Sequence, residues 1–149
     1  SILKMDIKGR DNSSIKSIWS AGPKTYLGLQ VAGFPNMFFL TGPGSPSVLT
    51  NMPRAIEQHV DWVTDCISHM ESNNLNSVEA TPEAVENWVD HVNDTANNTL
   101  LPKAKHSWYL GANVPGKPRV FMPYTGGLNN YRDICNKIAK DGYAGFLFS

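Results

Sequence analysis

The chain has 149 residues, the size of one domain and enough to bury a real core. Thirteen lysines and arginines balance thirteen aspartates and glutamates, so no electrostatic footprint argues for nucleic acid or an anionic membrane surface. No apolar run approaches the ~20 residues of a membrane span and no signal-peptide pattern opens the chain, so a cytoplasmic location is expected. The 2 cysteines, Cys66 and Cys135, fall on apolar positions of predicted helices. They are read as small buried hydrophobes in a reducing compartment.

In chain order, Ile2 to Ile7 and Ile15 to Trp19, separated by Gly9-Arg-Asp-Asn-Ser-Ser14, read as a hairpin. Opening on a strand-like run without a methionine points to a piece of something longer. Thr25 to Val31 is a third strand candidate, and Met37 to Leu40 a short buried one flanked by breakers. Gly42-Pro-Gly-Ser-Pro46 then turns the chain into a helix start. Such a corner can bring backbone N–H groups and the positive end of a helix dipole against a negatively polarised ligand. Its two glycines let the chain pass close to a flat or bulky group. The spacing is neither GxGxxG nor a P-loop, so a plain turn and a ligand-facing corner both stay open.

The first predicted helix has Thr50 or Asn51 as N-cap and Pro53 in its first turn. Ile56, Val60, Val63, Ile67 and Met70 form its apolar stripe, and Asn73-Asn74 ends it. The second starts with Thr81 as N-cap, Pro82 and Glu83, and carries Val85, Trp88, Val89, Val92 and Ala96 toward Pro102. Lys103 to Lys117 has no usable period but holds Trp108, Tyr109 and several glycines and prolines, the make-up of a mobile binding loop. Val120 to Tyr124 is a strand candidate. Asn129 or Asn130 caps a third helix with Tyr131, Ile134, Cys135 and Ile138 on one face, ended by Gly142. Phe146 to Phe148 is a last short strand.

The residues alone supply little chemistry. His59, His69, His91 and His106 have no metal spacing and read as surface or cap histidines. No carboxylate pair stands out, and Gly44-Ser-Pro-Ser47 lacks the nucleophile-elbow pattern. The chain reads as a wall and a lid for chemistry held elsewhere.

Three segments together resemble the C-terminal part of a Baeyer–Villiger monooxygenase, of the phenylacetone, steroid and cyclohexanone monooxygenase type. They are Ala21-Gly-Pro-Lys-Thr-Tyr-Leu-Gly-Leu29, then Gly33-Phe-Pro-Asn36 with Gly42-Pro-Gly-Ser-Pro-Ser-Val-Leu-Thr-Asn-Met52 and Ile56-Glu-Gln-His-Val-Asp-Trp62, and last Ser107-Trp-Tyr-Leu-Gly-Ala-Asn-Val-Pro-Gly-Lys-Pro-Arg119. The similarity runs on to Gly142-Tyr-Ala-Gly-Phe146 and covers nearly the whole chain.

The resemblance implies an α/β flavoprotein with two dinucleotide-binding domains, α+β in this piece taken alone. Residues 1–149 would be the C-terminal segment of the Rossmann-like FAD domain. Within it, 1–46 would be strands and turn, 47–72 the flavin-facing helix, 81–101 the second helix, 103–119 a control loop, and 120–149 a strand, a helix and a final strand. FAD and NADPH are the implied cofactors, a ketone and O2 the implied substrates, and the upstream FAD- and NADP-binding segment the implied partner. By position, Pro46, Ser47, Val48 and Leu49 correspond to the substrate pocket, Asn51 and Met52 to the flavin edge, and Trp108 to the loop that closes over NADP. Asn113 and Lys117 share that loop without an assigned role. The family's glycine motifs, its FxGxxxHxxxW fingerprint and its catalytic arginine find no match here, so no catalytic residue is expected in this segment and it should be inactive alone. A non-catalytic binding module and an N- or S-oxygenating flavin monooxygenase are the alternatives.

Overall fold

The computed structural model of the chain describes residues 2–99 and 122–149. The predicted control loop over 103–119, with Trp108, Asn113 and Lys117, lies outside the described residues, as do positions 100–101 of the second predicted helix.

The helices start where side chains can satisfy their first amides. In α2 (Met52–Ser72), Asn51 Oδ1 accepts the Arg54 N–H at 3.2 Å and Pro53 occupies the first turn. In α3 (Pro82–Asn97), Thr81 Oγ1 accepts the Ala84 N–H at 3.1 Å, and Val85, Trp88, Val92 and Ala96 face the core as their spacing predicts. The last helix, α4 (Leu128–Lys140), begins slightly ahead of the expected asparagine caps. Gly127, at φ +85°, turns the chain there instead, and Gly142 at φ +73° stops it as expected.

Helix α2 is rotated from the expected register. Its buried face is Ala55, His59, Trp62, Cys66 and Met70; of the expected Ile56, Val60, Val63, Ile67 and Met70 stripe, Met70 is buried and Val63 packs partly against the core, while Ile56, Val60 and Ile67 are exposed. The helix is apolar on two adjacent faces, and this core takes the aromatic one. Trp62 donates its Nε1–H to the Cys135 carbonyl of α4 at 3.0 Å and lies against the rings of Tyr143 and Phe146, 5.2 and 5.4 Å between centroids.

Several predicted strands are turns. Ile15–Ile18 is a one-turn helix, α1, because Ser14 Oγ accepts the Ser17 N–H at 3.1 Å. Ile2–Lys4 is a 3-10 turn, and one Lys8–Ser14 bridge is what the described residues keep of the expected hairpin. Thr25 to Val31 doubles back on itself: Tyr26 pairs with Gln30 around Leu27 and Gly28, both at positive φ. Met37 to Leu40 has no strand partner among the described residues, although the Phe39 N–H reaches the Leu29 carbonyl at 2.7 Å. Met122 to Tyr124, the described end of the Val120 to Tyr124 candidate, is not a strand. The sheet of the described residues is one antiparallel pair, β1 (Val78–Ala80) with β2 (Phe146–Phe148), in the register Val78–Phe148 and Ala80–Phe146. The phenylalanine strand is thus present and finds a partner that the sequence did not suggest. The α+β class expected of the isolated piece stands. Its main core joins the Tyr26–Leu29 turn, α2, α3, α4 and both strands, and a smaller cluster gathers Ile15, Trp19, Val31 and Phe34.

Candidate functional site

The corner from Thr41 to Met52 is built from backbone hydrogen bonds. The Gly42 N–H donates to the Gly28 carbonyl at 3.2 Å, the Gly44 N–H to the Met122 carbonyl at 2.6 Å, and the Tyr124 N–H to the Ser45 carbonyl at 2.8 Å. Trp88 Nε1–H donates to the Gly44 carbonyl at 3.0 Å, and Ser45 Oγ to the Gly42 carbonyl at 2.7 Å. The turn is therefore pinned to three other parts of the chain. Its glycines serve that packing: a Cβ on Gly44 would meet Trp88 Nε1 at 3.0 Å, and one on Gly42 would meet the Gly28 carbonyl oxygen at 2.5 Å. The flat group that Gly44 admits is an indole of the protein itself, whereas Gly42 admits the Gly28 backbone.

Beyond the turn, Ser47–Leu49 form a 3-10 turn that leads directly into α2. The first helical bond there runs from the Ala55 N–H to the Asn51 carbonyl. The N–H groups of Asn51 and Met52 precede it and have no partner among the described residues. The first turn of α2 carries no acidic residue, and Arg54 stands in it. The corner thus presents two amide donors, without partners among the described residues, at the positive end of a 21-residue helix.

Pro46, Ser47, Val48, Leu49, Asn51 and Met52 are therefore contiguous in space as well as in sequence. Leu49 is exposed, Ser47 is half-buried at φ +44°, and Pro46 is buried. Trp108, the remaining predicted site residue, lies outside the described residues.

His59 is the residue that sequence reasoning misplaced. It is fully buried on α2, accepts the Thr41 N–H on Nδ1 at 2.9 Å, and has Nε2 2.8 Å from Tyr131 Oη. Its spacing from Trp62 and Cys66 was the available signal, but a histidine is ordinarily set aside when an apolar stripe is counted. Burial pushes its pKa down from 6.5 to about 4. Between those values the unfolded chain binds a proton that the folded chain refuses, so stability rises with pH through that window. Acidification from pH 6.5 to 4 should remove on the order of 3 kcal/mol, and His59→Leu should flatten this slope in urea titrations.

No family model matches the chain. Curated relatives do. It is 42% identical over 144 residues to a cyclohexanone 1,2-monooxygenase from Acinetobacter sp., covering 97% of this chain and 26% of that protein. A Baeyer–Villiger monooxygenase from Pseudooceanicola batsensis is 41% identical, with coverage of 97% and 26%. A phenazine N-monooxygenase from Lysobacter antibioticus is 38% identical over the same shares, 97% and 26%. Among solved structures, an NADP-bound oxidized steroid monooxygenase superposes with a TM-score of 0.89 at 48% identity, covering 97% of this chain and 26% of that one. A closed cyclohexanone monooxygenase gives 0.94 at 41% identity, covering 99% and 27%. The chain belongs to the Baeyer–Villiger monooxygenase family. It matches the C-terminal part and spans about a quarter of the length of the curated relatives it matches.

In this Baeyer–Villiger segment Pro43 and Gly44 of the corner line a small cavity with Thr25 and Trp88, while Leu49 is exposed. Cavities of 410 and 400 Å³ lie elsewhere, one beside Tyr26, Thr81 and Trp88, the other between α2 and α4 beside Asp61, Asp65 and Arg132. Three residues of the α2 stripe expected to be core, Ile56, Val60 and Ile67, are exposed at 37%, 43% and 44%. Among the described residues no group of histidine, cysteine and carboxylates could hold a metal ion, and no helix is long and apolar enough to cross a membrane. Cys66 and Cys135 are both free and buried, as expected.

Proposed function

We propose that this chain is the C-terminal portion of an FAD- and NADPH-dependent Baeyer–Villiger monooxygenase, which inserts one oxygen atom from O2 beside a ketone carbonyl to give an ester or lactone. The observation that carries this reading is the corner. Two amides without partners among the described residues stand at a helix N-terminus, with Ser47 to Leu49 immediately before them. The pyrimidine edge of a reduced flavin carries negative charge, and those donors fit it. A helix N-terminus supplies ~0.3–1 kcal/mol to such a charge, up to ~2 when partly buried.

On this reading Asn51 and Met52 hold the flavin edge, while Pro46, Ser47, Val48 and Leu49 line the ketone site. Trp108 anchors a cover over NADP, and the segments run as 47–72 for the flavin-facing helix and 103–119 for the control loop. The bound flavin supplies the oxygen-activating chemistry and NADPH the electrons. The residues of this chain orient the ketone and keep water away from it. The uncovered Ile56–Val60–Ile67 face suits docking onto an upstream FAD- and NADP-binding segment, since the relatives are about four times as long. A cytoplasmic setting agrees with two free thiols.

The test is to join the chain to its FAD- and NADP-binding segment. Ketone-stimulated NADPH oxidation with ester product is expected, and none from the chain alone. A flavin-loaded assembly that gives neither overturns the reading. In the active assembly, Trp108→Ala should raise the share of NADPH lost to hydrogen peroxide, measured against ester formed. Unchanged coupling would remove Trp108 from the lid. A second reading, N-oxygenation, is favoured by the 38% identity to the phenazine N-monooxygenase. Product analysis with an N-heteroarene, a sulfide and a ketone separates the two.

A further inference from the structure

A buried polar chain ends on two residues held in an unusual backbone conformation. Thr41 has φ +55° and Leu27 φ +58°, the left-handed region that side chains with a Cβ, and β-branched ones above all, avoid. Both are held by the same pair of side chains, His59 on α2 and Tyr131 on α4, each fully buried. The Thr41 N–H donates to His59 Nδ1 at 2.9 Å. An amide N–H can only donate, so Nδ1 keeps its lone pair and the neutral ring carries its hydrogen on Nε2. Nε2 lies 2.8 Å from Tyr131 Oη and donates to it, and the Tyr131 hydroxyl in turn donates to the Leu27 carbonyl. From Thr41 to Leu27 these three hydrogen bonds run in a single direction.

These ends fall at the root of the corner. Thr41 is its first residue and Met52 opens α2, so a bond from Thr41 to His59 closes the intervening loop at its base. Leu27 sits in the turn beneath, whose Gly28 carbonyl accepts the Gly42 N–H at 3.2 Å. Backbone strain held in place by surrounding contacts is characteristic of sites whose geometry matters.

We propose that His59, as the Nε2–H tautomer, is the positioning residue for the 41–52 corner, setting where Ser47 to Leu49 stand relative to a bound ketone. This rests on the reading of Pro46 to Leu49 as the ketone wall. His59 is too deeply buried to touch substrate and acts through Thr41 and Tyr131.

In the complete flavoprotein, His59→Leu should raise the ketone KM on the order of tenfold with flavin content kept. Hydrogen exchange at the Thr41 amide should quicken in the same variant. His59→Asn, whose Oδ1 can stand where Nδ1 stands, should restore both. His59→Gln, whose amide reaches toward Tyr131 instead, should restore neither. A normal ketone KM in His59→Leu overturns the proposal if Leu49→Ala still shifts KM. If Leu49→Ala shifts nothing, the ketone wall is misassigned and the proposal falls with it. Should His59→Leu fail to fold, equal KM values for the Asn and Gln variants overturn it, and a difference favouring Asn upholds it.

Discussion

Gly28→Ala is expected to destabilise the protein by about 3 kcal/mol and to loosen the corner. The residue sits at φ +73°, where an added Cβ would meet Ser45 Cβ at 2.6 Å and Ser45 N at 2.8 Å. A non-glycine residue in the left-handed region costs roughly 1–2 kcal/mol, and overpacking a tight contact adds about 1–3. Ser45 cannot step aside: it is fully buried, and both its Oγ and its N–H donate to the Gly42 carbonyl, at 2.7 and 3.1 Å. Gly33→Ala is the control. Its φ of +82° is equally awkward, yet nothing lies within 4 Å of the added carbon, so only the backbone cost of about 1 kcal/mol should appear. Urea unfolding of the two variants checks the difference. Equal losses would mean that the Gly28–Ser45 contact is slack.

The second large effect is expected at Trp62. Replacing it with alanine removes the ring that joins α2 to α4 and to β2, at a cost of about 3–5 kcal/mol. The indole is buried and faces the Tyr143 and Phe146 rings, so little could fill the space it leaves. Trp62→Phe keeps most of the apolar volume but leaves the Cys135 carbonyl without its Nε1–H donor. That loss alone is worth about 1–3 kcal/mol. The order Ala worse than Phe, in chemical unfolding, separates packing from the hydrogen bond. If Phe costs as much as Ala, the hydrogen bond dominates.

The α2 register shows where sequence reading stopped. Its cap at Asn51, its proline and its end at Asn73 are local events, and local chemistry predicts them. Which face turns inward depends on what stands opposite. Trp62 meets Tyr143 and Phe146, far along the chain, whereas the Ile56–Val60–Ile67 stripe is left exposed among the described residues. Both faces are apolar at helical spacing, so counting could not choose between them. The short apolar runs failed for a related reason. Runs such as Thr25 to Val31 look alike whether they pair with a strand or fold on themselves. Here Thr25 Oγ1 accepts the Gly28 N–H at 3.0 Å and closes a turn.

The sequence by itself determined the three long helices, the Asn51 and Thr81 caps, the phenylalanine strand, the contiguity of the Pro46–Met52 corner and the family likeness. Each of these depends on neighbours within a few residues or on a string of residues in order. The tertiary structure alone decided the inward face of α2, the pairing of β1 with β2, the use of the corner's glycines and the burial of His59 between Thr41 and Tyr131. Those depend on contacts between distant segments, where the gain from burying a ring or satisfying a buried nitrogen outweighs local pattern.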